Sequence, residues 1–329
     1  MTRLSLVQAH ELVAGALIRS GTAPENAAST ARALVGAEAD GLKGHGLTRT
    51  PIYAAQVKSG KVLGHARATI KRSAPAALVA DAGHGFAYPA IDLVTDALPA
   101  VARETGVAAA AIRRSHHCGA AGRPVEALAE AGLVALMFAN APASMAPWGA
   151  KRPLYGTDPI AFACPLPGRA PIVIDMSLSK VARGNILAAR QRGETIPDDW
   201  AFDAGGRPTT DPEAALGGLM APMGGAKGVA LALMVELLAA GLTGGGYAFE
   251  MTSFLDDVGG PPDAGQFILA IDPAAFSANG HERFAVMAEA VEAEEGARLP
   301  GARRLAARAK AEAEGIEIGD SLIAEIEAI

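Results

Sequence analysis

Apolar positions at the start of the chain recur at helical spacing. Leu6, Val7, Leu12, Val13 and Leu17 form one stripe behind Ser5, a residue suited to capping, and the run stops near Gly21. Pro24 is preset for a first helical turn, and a second helix runs from there to about Gly41. Beyond Val62 the period shortens. Ala68–Ile70 and Ala77–Val79 read as strands, and Ala90–Thr105 as a helix. The unbroken apolar runs Val107–Ile112 and Leu133–Phe138 are short enough for strands covered on both faces, with a helix over Gly119–Ala131 between them. Strands at Ile160–Cys164 and Ile172–Ile174 precede a helix near Ser179–Arg190. The strongest helix spans Lys227–Gly241, followed by a strand at Phe267–Ile271, a helix at Glu282–Ala293 and a charged helical tail from Arg303. Nothing repeats. The pattern predicts an α/β (α+β) protein, with a mainly helical part over 1–65 and 282–329 and a sheet-containing part over 66–281.

Composition narrows the function classes. Lys and Arg total 29 against 35 Asp and Glu, so the chain is mildly acidic, whereas a nucleic-acid protein wants a basic face. The longest apolar stretch, Val229 to Leu242, contains Glu236 and is too short to span a bilayer. The N-terminus carries His10 and Glu11 instead of the apolar core of an export signal, and two cysteines cannot make a disulfide framework. These features predict a cytoplasmic enzyme of small molecules, with no nucleic acid or membrane as partner and no metal site.

Several short segments could carry chemistry. His45 and Arg49 are four apart, so on a helical turn they would share a face. A guanidinium fork can hold a carboxylate, and an imidazole beside it can move a proton near neutral pH; spacing alone fits a helix end with a surface His and Arg better. Ser115-His116-His117-Cys118 follows a strand, where a His is well placed as an acid/base group or is simply a satisfied core residue. Cys118 lacks any nucleophile motif and reads as a small buried thiol. Gly224-Gly225-Ala226-Lys227-Gly228 opens a helix and could seat an anion, although it is not a Walker loop and an ordinary glycine-rich helix start explains it too. No Gly-x-Gly-x-x-Gly joins a strand to a helix, so a standard dinucleotide fold is not supported.

Taken in order, the stretches His45-Gly46-Leu47-Thr48-Arg49, Ser115-His116-His117, Pro147-Trp148-Gly149, Tyr155 to Phe162, Ile174-Asp175-Met176-Ser177, Ala182-Arg183-Gly184, Lys227-Gly228, Pro261 to Gln266 and Arg298-Leu299-Pro300-Gly301 resemble the malate/L-lactate dehydrogenase family of the second, non-Rossmann type. The resemblance covers nearly the whole chain. It implies a homodimer and a nicotinamide-binding domain on a largely antiparallel sheet. It also implies His45 and His117 as acid/base residues, with Asn185 at a position that can orient a ring nitrogen. Arg49 and Thr157 fall at substrate contacts, and Tyr53 is placed near the pocket by its closeness to Arg49. His117, Asp175, Met176, Ser177, Arg183, Gly184, Lys227, Gly228, Pro300, Gly301, Arg303 and Arg304 fall where relatives bind the dinucleotide. Three positions depart from the family pattern: Gly44 where many relatives have Ser, Asn185 where the imine reductases have an acidic residue, and Ala226 where His is common. Losing a hydroxyl and a negative charge lowers the proton affinity of His45 and shifts weight to His117. The implied activity is reduction of a small 2-oxo or cyclic 2-imino carboxylate with NADPH, or NADH. A Δ1-piperideine-2-carboxylate/Δ1-pyrroline-2-carboxylate reductase ranks first, a malate- or lactate-type 2-hydroxyacid dehydrogenase second, and a catalytically silent metabolite sensor is the alternative of another class.

Overall fold

A computed structural model describes residues 1–329. β1 (Thr2–Leu4) leads into α1 (Leu6–Arg19), where Gln8 N donates to Ser5 Oγ at 3.2 Å and Ser5 N donates to Gln8 Oε1 at 2.8 Å. That reciprocal cap satisfies two helix-start donors and explains the sharp beginning. α2 (Pro24–Ala39) packs Ala27, Ala31 and Leu34 against Val13 and Leu17 of α1. Two short 3-10 turns, Lys43–His45 and Leu47–Arg49, connect to α3 (Thr50–Lys58).

The next segment supplies most of one sheet: β2 (Thr69–Ala74), β3 (Ala77–Asp81), α4 (Ala87–Thr105), β4 (Val107–Ser115), α5 (Gly122–Glu130), β5 (Val134–Ala139), β6 (Ile160–Leu166) and β7 (Arg169–Met176). A smaller unit follows, with α6 (Arg183–Arg192), β8 (Ala201–Phe202), α7 (Pro212–Leu216), β9 (Leu219–Met220) and α8 (Ala226–Glu236). β10 (Ala264–Ile271) then enters the centre of the sheet, whose order is β2-β3-β4-β10-β5-β6-β7. Only β3 and β4 run parallel; the other neighbours are antiparallel. α9 (Gly280–Ala293), α10 (Ala302–Glu314), β11 (Ile316–Ile318) and α11 (Asp320–Glu327) complete the chain.

One face of the central strands is buried and the other half-buried, so both favour apolar residues and the sequences read as unbroken apolar runs. Ala135 and Met137 of β5, with Ile268 and Ala270 of β10, join α4 and α5 in one core. Phe138 of β5 faces the other way and packs with Leu178, Ile186, Ile196 and Val235. A third core gathers α1 and α2 with Tyr53, Phe86, Tyr88 and the C-terminal Ile316, Ile318 and Ile326.

Several boundaries differ from the sequence pattern for local reasons. The helix expected from Gly119 starts at Gly122, because Gly119 has φ +69°. The one expected from Ser179 starts at Arg183: Ser179 bridges Pro222, and Lys180 N donates to Ala221 O at 2.7 Å, so this stretch is extended. The helix begun at Lys227 widens to a π-turn over Leu237–Gly241. The C-terminal tail is broken at Gly315 (φ +82°), and β11 pairs with β1 across the whole length of the chain.

Candidate functional site

His45 and Arg49 do not share one helical turn. Gly46 separates two 3-10 turns, and a Cβ on it would lie 2.0 Å from Glu38 Oε2, which accepts Leu47 N at 3.0 Å. Any side chain at this position would push the carboxylate off Leu47 N. The break turns the His45 ring onto the His117 ring, with centroids 5.3 Å apart and planes 24° from parallel. Arg49 Nε donates to Gly44 O at 2.7 Å, which fixes the guanidinium and leaves both Nη groups without a protein partner.

His117 is held from behind. Its Nδ1 lies 2.6 Å from the Tyr53 hydroxyl, which lies 3.1 Å from the Tyr88 hydroxyl. Phe254 closes another side, its ring 5.2 Å from that of His116 and 5.3 Å from that of His117. His116 is buried edge-on to Tyr53 and Phe86, and neither of its ring nitrogens has a protein partner.

This packing sets the charge state. Burial and then the Arg49 charge lower His45 to about 4. Burial, Lys61 and Arg49 lower His116 to about 3. His117 is pushed well below the usual imidazole range by burial, by Arg49 and by the two neighbouring histidines. Burial raises Tyr53 to about 12, so its phenol keeps its proton. No carboxylate hydrogen-bonds or ion-pairs with any of the three histidines, which are therefore neutral near pH 7. Cys118, buried and raised to about 12, is an inert thiol.

Most of the remaining expected residues fall into two further groups. In the first, Leu178 N donates to Thr157 O at 2.7 Å and Met223 N donates to Leu178 O at 2.7 Å. These bonds place Thr157, Ser177 and the exposed Met176 beside the Gly224–Lys227 start of α8. Gly225 (φ +62°) lies against the Trp148 ring, and a Cβ on Gly228 would meet Met223 O at 1.8 Å. Lys227 is exposed at the first turn of α8. In the second, Asp175 Oδ2 accepts Gly122 N at 2.8 Å, four residues beyond Cys118, and Gly301 approaches Val173 O. Pro300 and Arg303 are exposed there, and Arg303 makes no hydrogen bond. Arg304, by contrast, is engaged inside the protein: both Nη atoms donate to Glu126 at 2.7 Å.

Arg183 starts α6, with Gly184 exposed beside it. Its Nη2 donates to Leu216 O at 3.0 Å, and its buried Nε has no protein partner. Asn185 is exposed next to a cavity of ≈ 300 Å³ lined by Arg192, Glu194 and Trp200, and it hydrogen-bonds to neither histidine. The structure thus brings together His45, Arg49, Tyr53 and His117 but leaves Asn185 apart from them. Sequence reasoning missed Tyr88 and Phe254. Neither is near the histidines in the chain, and no local pattern marks them.

Comparison with known proteins agrees with this architecture. Residues 4–327 match the family described as Malate/L-lactate dehydrogenase. The chain is 50% identical to the (2R)-3-sulfolactate dehydrogenase (NADP(+)) of Chromohalobacter salexigens, covering 99% of this chain and 97% of that protein. It is 41% identical to the Δ1-pyrroline-2-carboxylate reductase of Ancylobacter novellus, again over 99% and 97%. Its structure resembles that of Δ1-piperideine-2-carboxylate reductase from Pseudomonas syringae pvar. tomato, with TM-score 0.92, 38% identity and coverage of 100% and 99%.

Proposed function

The chain belongs to the malate/L-lactate dehydrogenase family and is an oxidoreductase, and on that premise we propose that it interconverts a small 2-hydroxy acid and its 2-oxo acid with NADP(H). One observation carries the choice of substrate: the pocket holds an Arg and neutral histidines with no carboxylate among them. Reduction of a carbonyl builds negative charge on oxygen, which this electropositive site stabilises. Reduction of a cyclic imine needs a protonated, cationic nitrogen, which Arg49 opposes. Among 2-hydroxy acids, 3-sulfolactate is the first candidate, in line with the relative at 50% identity. This reverses the order that the sequence motifs suggest.

The residues divide the work as follows. Arg49, anchored through Nε, presents its Nη pair to the substrate carboxylate as a fork and so orients C2. His117 is the acid/base group, because Tyr53 supports its Nδ1 whereas His45 has no partner on either ring nitrogen. For reduction, His117 acts as the imidazolium: its Nδ1–H donates to the Tyr53 hydroxyl, its far N–H gives a proton to the developing oxyanion, and the neutral imidazole left behind takes up a new proton from solvent. When Tyr53 turns towards Tyr88 and accepts from Nδ1, the far nitrogen is free to take the hydroxyl proton of a 2-hydroxy acid. A bound substrate carboxylate offsets the Arg49 charge and raises the proton affinity of His117 during turnover. His45 forms the stacked wall.

The nicotinamide cofactor supplies or takes the hydride at C2. The residues present suit it. The start of α8 with Lys227 and Gly228 fits a phosphate. The orphaned Nε of Arg183 fits a second anion, such as a 2′-phosphate. Trp148 beside Gly225 offers a flat surface, and Ser177, Asp175, Gly301 and Arg303 extend the rim. We take the working unit to be a homodimer. Exposed Trp148, Leu233, Leu237, Leu242 and Phe249 support this reading, and sedimentation showing a monomer at micromolar concentration would overturn it.

The test follows NADP(H) absorbance with 3-sulfolactate, malate and lactate in one direction and the matching 2-oxo acids and Δ1-pyrroline-2-carboxylate in the other. The highest kcat/KM is expected for a hydroxy/oxo acid pair. A higher value for the cyclic imine would restore the second reading, imine reduction, which the relative at 41% identity and the TM-score of 0.92 support.

A further inference from the structure

The chain between the short turn Ala248–Glu250 and β10 has no regular structure, and no backbone–backbone hydrogen bond ties residues 252–262 to another element. Its own apolar residues do not anchor it either. Leu255 is 46% exposed and Val258 72%, and between residues 252 and 260 only Phe254 is inserted, at 6%. Two side chains from the helical N-terminal part hold it instead. Gln56 Nε2 donates to Phe254 O at 3.3 Å and to Asp256 O at 2.8 Å. Lys61 Nζ donates to Asp256 O at 3.1 Å, to Asp256 Oδ1 at 3.0 Å and to Val258 O at 2.8 Å. Both side chains are fully buried.

A buried ammonium is costly, and an apolar residue of similar volume is commonly as good for stability. Here each of the three Lys61 donors has found an acceptor on one segment. That segment carries the ring lying against His116 and His117. We propose that Gln56 and Lys61 are positioning residues that strap segment 252–260 over the histidine pocket, so that Phe254 keeps water off the acid/base group during turnover. The proposal rests on the reading of His117 given above. Other groups also act on the pocket. Arg49, His45 and His116 bear on His117, whose Nδ1 meets Tyr53, with Tyr88 behind it. Lys61 itself bears on His116 by its charge.

Gln56→Leu loosens the strap without changing charge, Lys61→Met does both, and Phe254→Ala removes the wall with the strap intact. Phe254→Leu serves if the alanine variant does not fold. Amide hydrogen exchange at Leu255 and Val258, whose N–H groups donate to Ser253 Oγ and Asp256 Oδ1 within the strapped segment, should accelerate in Gln56→Leu and Lys61→Met. In all three variants kcat/KM should fall about tenfold or more, and its acid limb should move upward by about one pH unit as water reaches the ring. Adding Phe254→Ala to Lys61→Met should bring little further loss, since both act through one ring. The proposal is overturned if exchange in the segment does not change. It is also overturned if exchange rises while the acid limb stays put, or if the limb moves only in Lys61→Met. Should His117→Ala retain full activity, the acid/base reading fails by itself, and the exchange data still judge the strap.

Discussion

Two buried polar regions of this molecule invite comparison. At the junction of α2, α5 and α10, Asp40 and Glu126 meet Arg123, Arg304 and Arg308. Arg308 Nε donates to Asp40 Oδ1 at 2.7 Å, Arg123 Nη1 to Asp40 Oδ2 at 2.9 Å, and Arg304 grips Glu126 with two bonds. Every carboxylate oxygen there has a cation. In the histidine pocket, by contrast, His45 Nδ1 and both nitrogens of His116 have no protein partner, and a guanidinium stands there without a carboxylate. A saturated network joins elements. An unsaturated one, held in place by aromatic packing, has valences left for a ligand.

The two regions should respond oppositely to mutation. His117→Ala is expected to lower kcat by about 10²–10⁴ with little change in melting temperature, whereas His45→Ala keeps more activity; the reverse ranking in steady-state assays would exchange their roles. Asp40→Asn should do the opposite, costing about 3–5 kcal/mol of stability in denaturant titration because three guanidinium groups lose a buried partner. A loss under 1 kcal/mol would show the network to be dispensable.

Smaller effects sharpen the contrast. Arg49→Lys should lower kcat/KM for the acid about a hundredfold, since a point charge cannot reproduce the fork; an unchanged value removes Arg49 from the site. Arg183→Ala should weaken NADPH more than NADH, and equal losses would end the 2′-phosphate assignment.

The pH dependence of stability should separate the regions too. For His45 and His116 the folded proton affinity is lowered, so the unfolded chain binds more protons below pH 6.5, and stability declines from there towards about 4 and about 3. Burial alone would raise Asp40 and Glu126, but their arginine bonds and charges outweigh it and hold both below the usual carboxylate range. Their contribution is complete above that range and disappears only as pH falls through the lowered values. Melting curves of His116→Phe should therefore flatten between pH 6.5 and 4 while leaving the acid collapse; an unchanged slope there would contradict the assignment.

Much of this was legible in the chain itself. Local signals made α1, with its Ser5 cap, and the apolar runs of β4 and β5 readable. They also placed His45, Arg49 and His117 among the residues worth watching, and the motifs in sequence order carried the family. Arg304 shows where such signals stop: its motif position pointed to the cofactor, yet its fork is engaged by Glu126, a partner far away in the chain.

Periodicity, caps and motif order are properties of neighbouring residues, so the sequence by itself determined the element types, the family and the chemical inventory. Charge state, by contrast, depends on burial and on distant neighbours. Only the folded chain decided that Gly46 would turn His45 onto His117, that Tyr53 would reach its ring, and that Phe254, tethered by Gln56 and Lys61, would close the pocket. Those contacts join residues tens to hundreds of positions apart, and their energies exist only once tertiary packing has excluded water from between them.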